Sequence, residues 1–166
     1  MIAIRFAEPN DAPALVLLAA AIGSEPGDWL LATEETREIA DERRYLKAVR
    51  RHPDAAVLVA TDAEHVVGRL SLARDPHPAS AHVADLGLMV AASHRRQGVG
   101  RSLLEAAVAW ARRAAVQKLE LHVFPWNEPA IRLYEKFGFE REGTHRRYAF
   151  RDGGYVDAYS MARLKG

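Results

Sequence analysis

The stretch from His82 to Phe124 narrows the choice of fold more than any other part of the chain. "HVADLGLMV" (82–90) and "KLELHVF" (118–124) read as strands, the second by plain alternation of apolar and polar residues. Between them Leu103, Leu104, Ala107, Val108, Ala111 and Ala115 recur at spacings of three and four, which predicts a helix from Gly98 to Ala115 with one apolar face. Strand, helix, strand is a βαβ unit, so the fold has a mixed sheet with this unit at its centre. Gly87 weakens the first strand and marks an expected bulge or close backbone approach.

The flanking segments complete the sheet. "IAIRFA" (2–7) predicts a strand, and "PND" offers a cap to a helix over Ala14 to Ile22 that "GSEPGD" breaks. Thr36 to Arg51 places Ile39, Tyr45, Leu46 and Val49 at near-helical spacing before His52 and Pro53 stop it. "AAVLVAT" (55–61) and "HVVGRLSLA" (65–73) form a hairpin, and "RDPHPAS" (74–80) is a loop. Asn127 caps a short helix that Gly138 ends, and the tail folds as two strands around "RDGG" (151–154). Every segment fits one α/β domain over residues 1–166, with helices flanking the sheet.

Composition removes several functions. The chain has 23 Lys and Arg against 22 Asp and Glu, so no global field draws it to nucleic acid or an anionic membrane. Any anion must be recognised locally. There is no cysteine, which excludes thiol nucleophiles, disulfides and thiolate metal sites and suits a reducing cytoplasm. No metal is called for. No signal-peptide pattern opens the sequence, and no run reaches the roughly 20 apolar residues that a membrane span needs.

The local anion site is "RRQGVGRSLL" (95–104). A glycine turn feeding a helix presents unpaired backbone N–H groups at the positive end of the helix dipole. A nucleoside-triphosphate loop needs a lysine after its second glycine, yet none lies between Lys47 and Lys118. A dinucleotide fingerprint needs a third glycine, where this chain has Leu103. What remains is R-x-x-G-x-G, Arg95 through Gly100.

That motif, followed by "LELHVFPWNEPAIRLYEKFGFEREG" (119–143), resembles the Gcn5-related N-acetyltransferase (GNAT) superfamily in order and spacing. The tail "EGTHRRYAFRDGGYVDAYSMARLKG" looks like a bacterial subgroup of L-amino acid N-acyltransferases. The likeness covers residues 81–166 well and residues 1–80 in topology only. It implies a mostly antiparallel sheet whose fourth and fifth strands splay, and acetyl-coenzyme A as donor. The pyrophosphate would rest on the N–H groups of Arg96, Gln97, Gly98, Val99, Gly100 and Arg101, with the Ser102 hydroxyl nearby and Arg95, Arg96 and Arg101 as a supporting field. The pantetheine arm would pair like a strand with Leu88, Met89 and Val90 and touch Asn127, Ala130 and Tyr134, and the Leu88 N–H would polarise the thioester carbonyl.

Direct attack by an amine on a thioester needs no covalent enzyme intermediate. It needs a neutral amine and a protonated leaving thiolate. An amine with pKa near 10.4 costs roughly 4–5 kcal/mol to deprotonate at neutral pH, an α-amino group about 1 kcal/mol. By resemblance Tyr134 is the acid for the thiolate, against the plainer role of a packed tyrosine. Asp85 stands either as a base acting through water or as a strand-end polar residue, with His82 and His122 as further candidates. Arg132 and Lys136 pair along their helix with Glu128 and Glu135 or reach the adenine 3′-phosphate.

The acceptor is a small-molecule amine, and the subgroup points to an L-amino acid such as methionine or an aromatic one. A polyamine, a protein N-terminus, an amine antibiotic, or a non-catalytic acyl-coenzyme A sensor stay open. Glu25, Asp28, Glu34 and Glu35 around Trp29, Leu30 and Leu31 are the residues expected to receive it. The terminal hairpin, with Tyr148, Phe150, Tyr155 and Tyr159, either closes the sheet of a monomer or pairs across the homodimer that family habit favours.

Overall fold

A computed structural model describes residues 1–27, 29 and 37–165. Seven strands form one sheet: β1 (Ile2–Phe6), β2 (Ala55–Asp62), β3 (His65–Arg74), β4 (Val83–Val90), β5 (Lys118–Val123), β6 (Glu140–Arg151) and β7 (Gly154–Leu164). Their order is β1-β2-β3-β4-β5-β7-β6. Only β4 and β5 run parallel, as the intervening helix requires. The helices are α1 (Ala12–Gly23), α2 (Ile39–Arg50), α3 (Val99–Arg113) and α4 (Glu128–Lys136).

The helices cover opposite faces of the sheet. Leu15, Leu18 and Ile22 of α1 and Leu46 and Val49 of α2 pack on Val57 and Val59 of β2. Leu103, Leu104, Ala107 and Val108 of α3, with Tyr134 of α4, pack on Leu58, Leu70, Leu86, Leu119 and Leu121 on the other side. With both faces covered, β2 is buried from Ala56 to Thr61, and its sequence is accordingly an almost unbroken apolar run.

Expected boundaries hold to within a few residues, and the departures have local causes. Gly98 takes φ +83° as the residue before α3, while Ala115, at φ +56°, follows the end of that helix at Arg113. The tail hairpin turns at Asp152 and Gly153, with φ of 49° and 80°, as a two-residue turn of the right hand for twisted strands. "PAS" (78–80) in the expected loop makes one turn of 3-10 helix. The bulge expected at Gly87 is absent, because β3 and β4 pair without a register shift from Gly68↔Val90 to Arg74↔Ala84. Register shifts lie instead in β2–β3 and twice in β6, where Arg147 adopts φ +53°. Thr36, the expected start of the second helix, lies outside the described residues.

Leu103 is fully buried where α3 meets the sheet. Leu103→Ala is expected to cost about 2–5 kcal/mol through lost burial and a residual cavity. A drop in the urea midpoint with an unchanged slope checks it.

Candidate active site

The site begins where two strands part. β4 and β5 pair only through Val83↔Lys118, Ala84↔Leu119 and Asp85↔Glu120. Beyond that point β4 stays with β3 to its end, while Leu121, His122 and Val123 pair with β7. The Ala91 N–H donates to the Val67 carbonyl at 2.8 Å, and the Val83 carbonyl accepts from the Asp75 N–H at 2.9 Å. Peptide groups alternate along a strand, so odd-numbered residues face β3 and the backbone groups of Leu88 and Val90 face the gap. The Val90 carbonyl accepts from Arg95 Nε at 3.1 Å. The Leu88 N–H and C=O and the Val90 N–H have no partner among the described residues. Met89, by the same alternation, turns its backbone to β3 and offers the gap only its side chain.

The first turn of α3 closes one end of the gap. The first helical bond runs from the Ser102 N–H to the Gly98 carbonyl at 3.0 Å, which leaves the N–H groups of Gly98, Val99, Gly100 and Arg101 unpaired by the helix. Gly98 is required for its left-handed backbone and Gly100 for space. A Cβ on Gly100 would stand 2.9 Å from Leu133 Cδ2 and 3.7 Å from Leu88 Cδ2. The helix end therefore sits directly against β4 and α4.

The arginines of this turn are mostly engaged. Arg95 binds Glu25 through both terminal nitrogens, at 2.7 and 2.8 Å. Arg101 pairs with Glu105 one turn on, at 3.1 Å. Arg96 is exposed, holds φ +60° and makes no ion pair among the described residues. Gln97 donates its side-chain N–H to the Ser93 carbonyl at 3.1 Å.

From β5 the chain passes through Trp126 and Asn127 into α4. The Asn127 carbonyl accepts from the Ile131 N–H at 3.1 Å. Its side chain makes no capping bond, contrary to the expected cap, and its polar group remains on the cleft wall. Tyr134 is 6% exposed and packs against Phe139, with ring centroids 5.7 Å apart. Burial pushes its pKa well above the ordinary phenol value, so the hydroxyl stays protonated through the neutral range. That hydroxyl has no hydrogen-bond partner among the described residues, and Tyr134 lines the cleft.

These parts enclose a cleft of about 390 Å³. Of the residues singled out in the sequence, Leu88, Met89, Val90, Arg95, Arg96, Gly98, Val99, Gly100, Arg101, Asn127, Ala130 and Tyr134 line it. Gln97, Ser102 and Asp85 do not. Asp85 projects from the opposite face of β4, in register with Glu120. Partial withdrawal of its carboxyl from water raises its pKa, His122 opposes that rise and Asp75 adds to it. His122 stacks on Tyr148 at 5.1 Å and meets His145 edge-on at 4.8 Å. His82 is exposed beyond the end of β4. Arg132 reaches Glu128 at 3.9 Å along α4.

The sequence reading missed Ile22, His94, Pro129 and Leu133 on the cleft wall. It also missed the use made of Glu25, expected to receive the acceptor amine but consumed by Arg95 and by the Trp29 indole N–H at 3.1 Å. No local signal marks such a pair, because its members lie 70 residues apart. Asp28, Leu30, Leu31, Glu34 and Glu35 lie outside the described residues.

Comparison with known proteins agrees with this geometry. The model of the acetyltransferase (GNAT) family matches residues 24–139. The chain is 44% identical over 117 residues to the L-amino acid N-acetyltransferase AaaT of Escherichia coli, covering 68% of this chain and 70% of that one. A GNAT-family acetyltransferase structure from Streptococcus pneumoniae superposes with a TM-score of 0.91 at 28% identity, over the full length of both chains. The yncA structure from Salmonella typhimurium, solved with acetyl-CoA, shares the fold at a TM-score of 0.87 and 21% identity, covering 99% of this chain and 94% of that one. A splayed strand pair facing an unpaired helix end, together with a family match over most of its length, identifies this chain as a member of the GNAT family of acetyltransferases, whose acyl donor is acetyl-CoA.

Proposed function

We propose that this protein transfers the acetyl group of acetyl-CoA to the α-amino group of an L-amino acid with an apolar side chain. The observation that carries this reading is the convergence, in one cleft, of the open backbone edge at Leu88 and Val90, the unpaired N-terminus of α3 and the hydroxyl-bearing side chain of Tyr134. The acceptor class rests on the relative AaaT and on the apolar wall that Ile22, Trp29 and Met89 add to the cleft. The protein works in a reducing cytoplasm, in keeping with its lack of cysteine. No helix among the described residues is long and apolar enough to cross a membrane.

In this reading the donor's pyrophosphate lies on the N–H groups from Gly98 to Arg101, with Arg96 adding charge. The pantetheine amides pair with Leu88 and Val90 as a strand would, with Asn127 and Ala130 on the opposite wall. The Leu88 N–H points at the developing oxyanion, and Tyr134 gives its proton to the departing sulfur. Asp85 receives the proton of the amine through water on the far face. Its raised pKa makes it a stronger base than an ordinary carboxylate.

A panel of L-amino acids, spermidine and a short peptide, assayed by thiol release from acetyl-CoA, tests the acceptor. Methionine and aromatic amino acids are expected to lead the panel. Turnover confined to spermidine or the peptide overturns the acceptor class, and tight coenzyme A binding without turnover of any amine overturns catalysis. Tyr134→Phe is expected to lower kcat about 10²-fold while the Kd for acetyl-CoA stays within a few-fold. Unchanged turnover would remove Tyr134 from the reaction.

The pH behaviour of Asp85 follows from the direction of its shift. A carboxyl whose pKa is higher in the fold than the unfolded value of about 3.9 contributes most below that value, and its contribution is lost as pH rises through the folded pKa. Asp85→Asn is therefore expected to raise the unfolding midpoint at pH 7, with the gain vanishing toward pH 3. The same variant should lose the acidic limb of the kcat/KM profile, which His122→Ala should keep. The reverse pattern assigns the base to His122.

A further inference from the structure

Arg95 is the first residue of the R-x-x-G-x-G motif, yet three of its five N–H donors are held by other parts of the fold. Both terminal nitrogens hold the two oxygens of Glu25, and Nε holds the Val90 carbonyl. The planar guanidinium thus joins the end of β4 to the segment that leaves α1. Glu25 Oε2 also accepts the Trp29 indole N–H at 3.1 Å. Two residues beyond Glu25, the Gly27 carbonyl accepts the indole N–H of Trp126 at 3.0 Å. Trp126 is itself stacked on the fully buried Phe124, with centroids 4.5 Å apart and planes 12° apart.

These bonds tie one short segment to both walls of the gap, to the β4 side through Arg95 and to the β5 side through Trp126. Trp29 rides on that segment. A Cβ on Gly27 would stand only 2.0 Å from the Trp29 ring, so the ring lies flat over a residue that leaves it room. With Ile22 and Met89, Trp29 then faces the cleft.

We propose that Arg95 and Glu25 are positioning residues for the acceptor, their pairing fixing the segment that sets Trp29 against the cleft, and that Arg95 is not a ligand of the donor's phosphates. The inference needs an amine acceptor at this cleft but not an L-amino acid in particular. Glu25→Gln and Arg95→Gln remove the pair from either side, and exchanging the two residues (Glu25→Arg with Arg95→Glu) restores the ion pair reversed, without the acceptor for the Trp29 indole or the donor for the Val90 carbonyl.

Each variant is assayed for acetyl-CoA Kd by calorimetry without acceptor, and for KM on L-methionine, spermidine and a short peptide in parallel. Each single change is expected to raise the KM of whichever amine the unaltered protein uses about tenfold, with acetyl-CoA Kd within twofold. The exchange should regain part of that loss. A tenfold weaker acetyl-CoA Kd in Arg95→Gln with acceptor KM unchanged overturns the proposal. Turnover of spermidine or the peptide in place of L-methionine overturns the amino-acid reading and leaves this one testable. Acrylamide quenching of indole emission gives a reading free of any acceptor: Glu25→Gln should increase quenching, since Trp110 is buried in both proteins while Trp29 and Trp126, the two indoles bonded to this segment, are released in one. Unchanged quenching would show that the pair does not hold the segment.

Discussion

The parting of β4 from β5 after Asp85 is the constraint on which the site depends. A backbone N–H or C=O left unpaired in a sheet interior is costly unless something else satisfies it. Two strands that share three residue pairs and then follow different neighbours leave such groups at Leu88 and Val90. β4 continues with β3 and β5 with β7, so the right-handed twist of each half carries them apart. Gly87, exposed and with open space where a Cβ would stand, sits at the start of this divergence. The unpaired edge belongs to the topology as a whole.

The second requirement is that the positive end of α3 lies beside that edge. Two glycines meet it in different ways, Gly98 by its left-handed backbone and Gly100 by admitting Leu133 and Leu88 to close approach. Of the arginines that make this stretch conspicuous, two are neutralised by Glu25 and Glu105. Paired charges hold structure, and unpaired N–H groups of a helix end meet an anion at short range without reorganisation.

This division explains what was legible in the sequence. The stripe from Leu103 to Ala111, the alternation of β5 and the Asp152-Gly153 turn are local patterns, and each announces its element. The lining of the cleft by Leu88, Gly98, Asn127 and Tyr134 was expected from the resemblance carried by residues 95–143, and not from local pattern alone. What escaped depends on contacts distant in sequence or on register. Glu25 and Arg95 meet only because α1 lies beside the end of β4, and the stack of His122 with Tyr148 needs the shifted register of β6. Gly87 misled for a related reason: a glycine in a strand signals an irregularity, but only the strand's two partners decide whether it is a bulge or a parting.

Withdrawal from water, full for one group and partial for the other, acts on a titratable residue on each side of the sheet. Tyr134 faces the α3 side among apolar residues, and Asp85 projects from the other face of the sheet. Removal from water disfavours the charged form of both, so both pKa values rise. For a phenol that already titrates above neutrality, the rise keeps the hydroxyl protonated through the neutral range. For a carboxylate that titrates well below neutrality, the rise moves its titration toward neutrality. One physical cause thus acts on both residue types, and the sheet keeps the two on opposite faces.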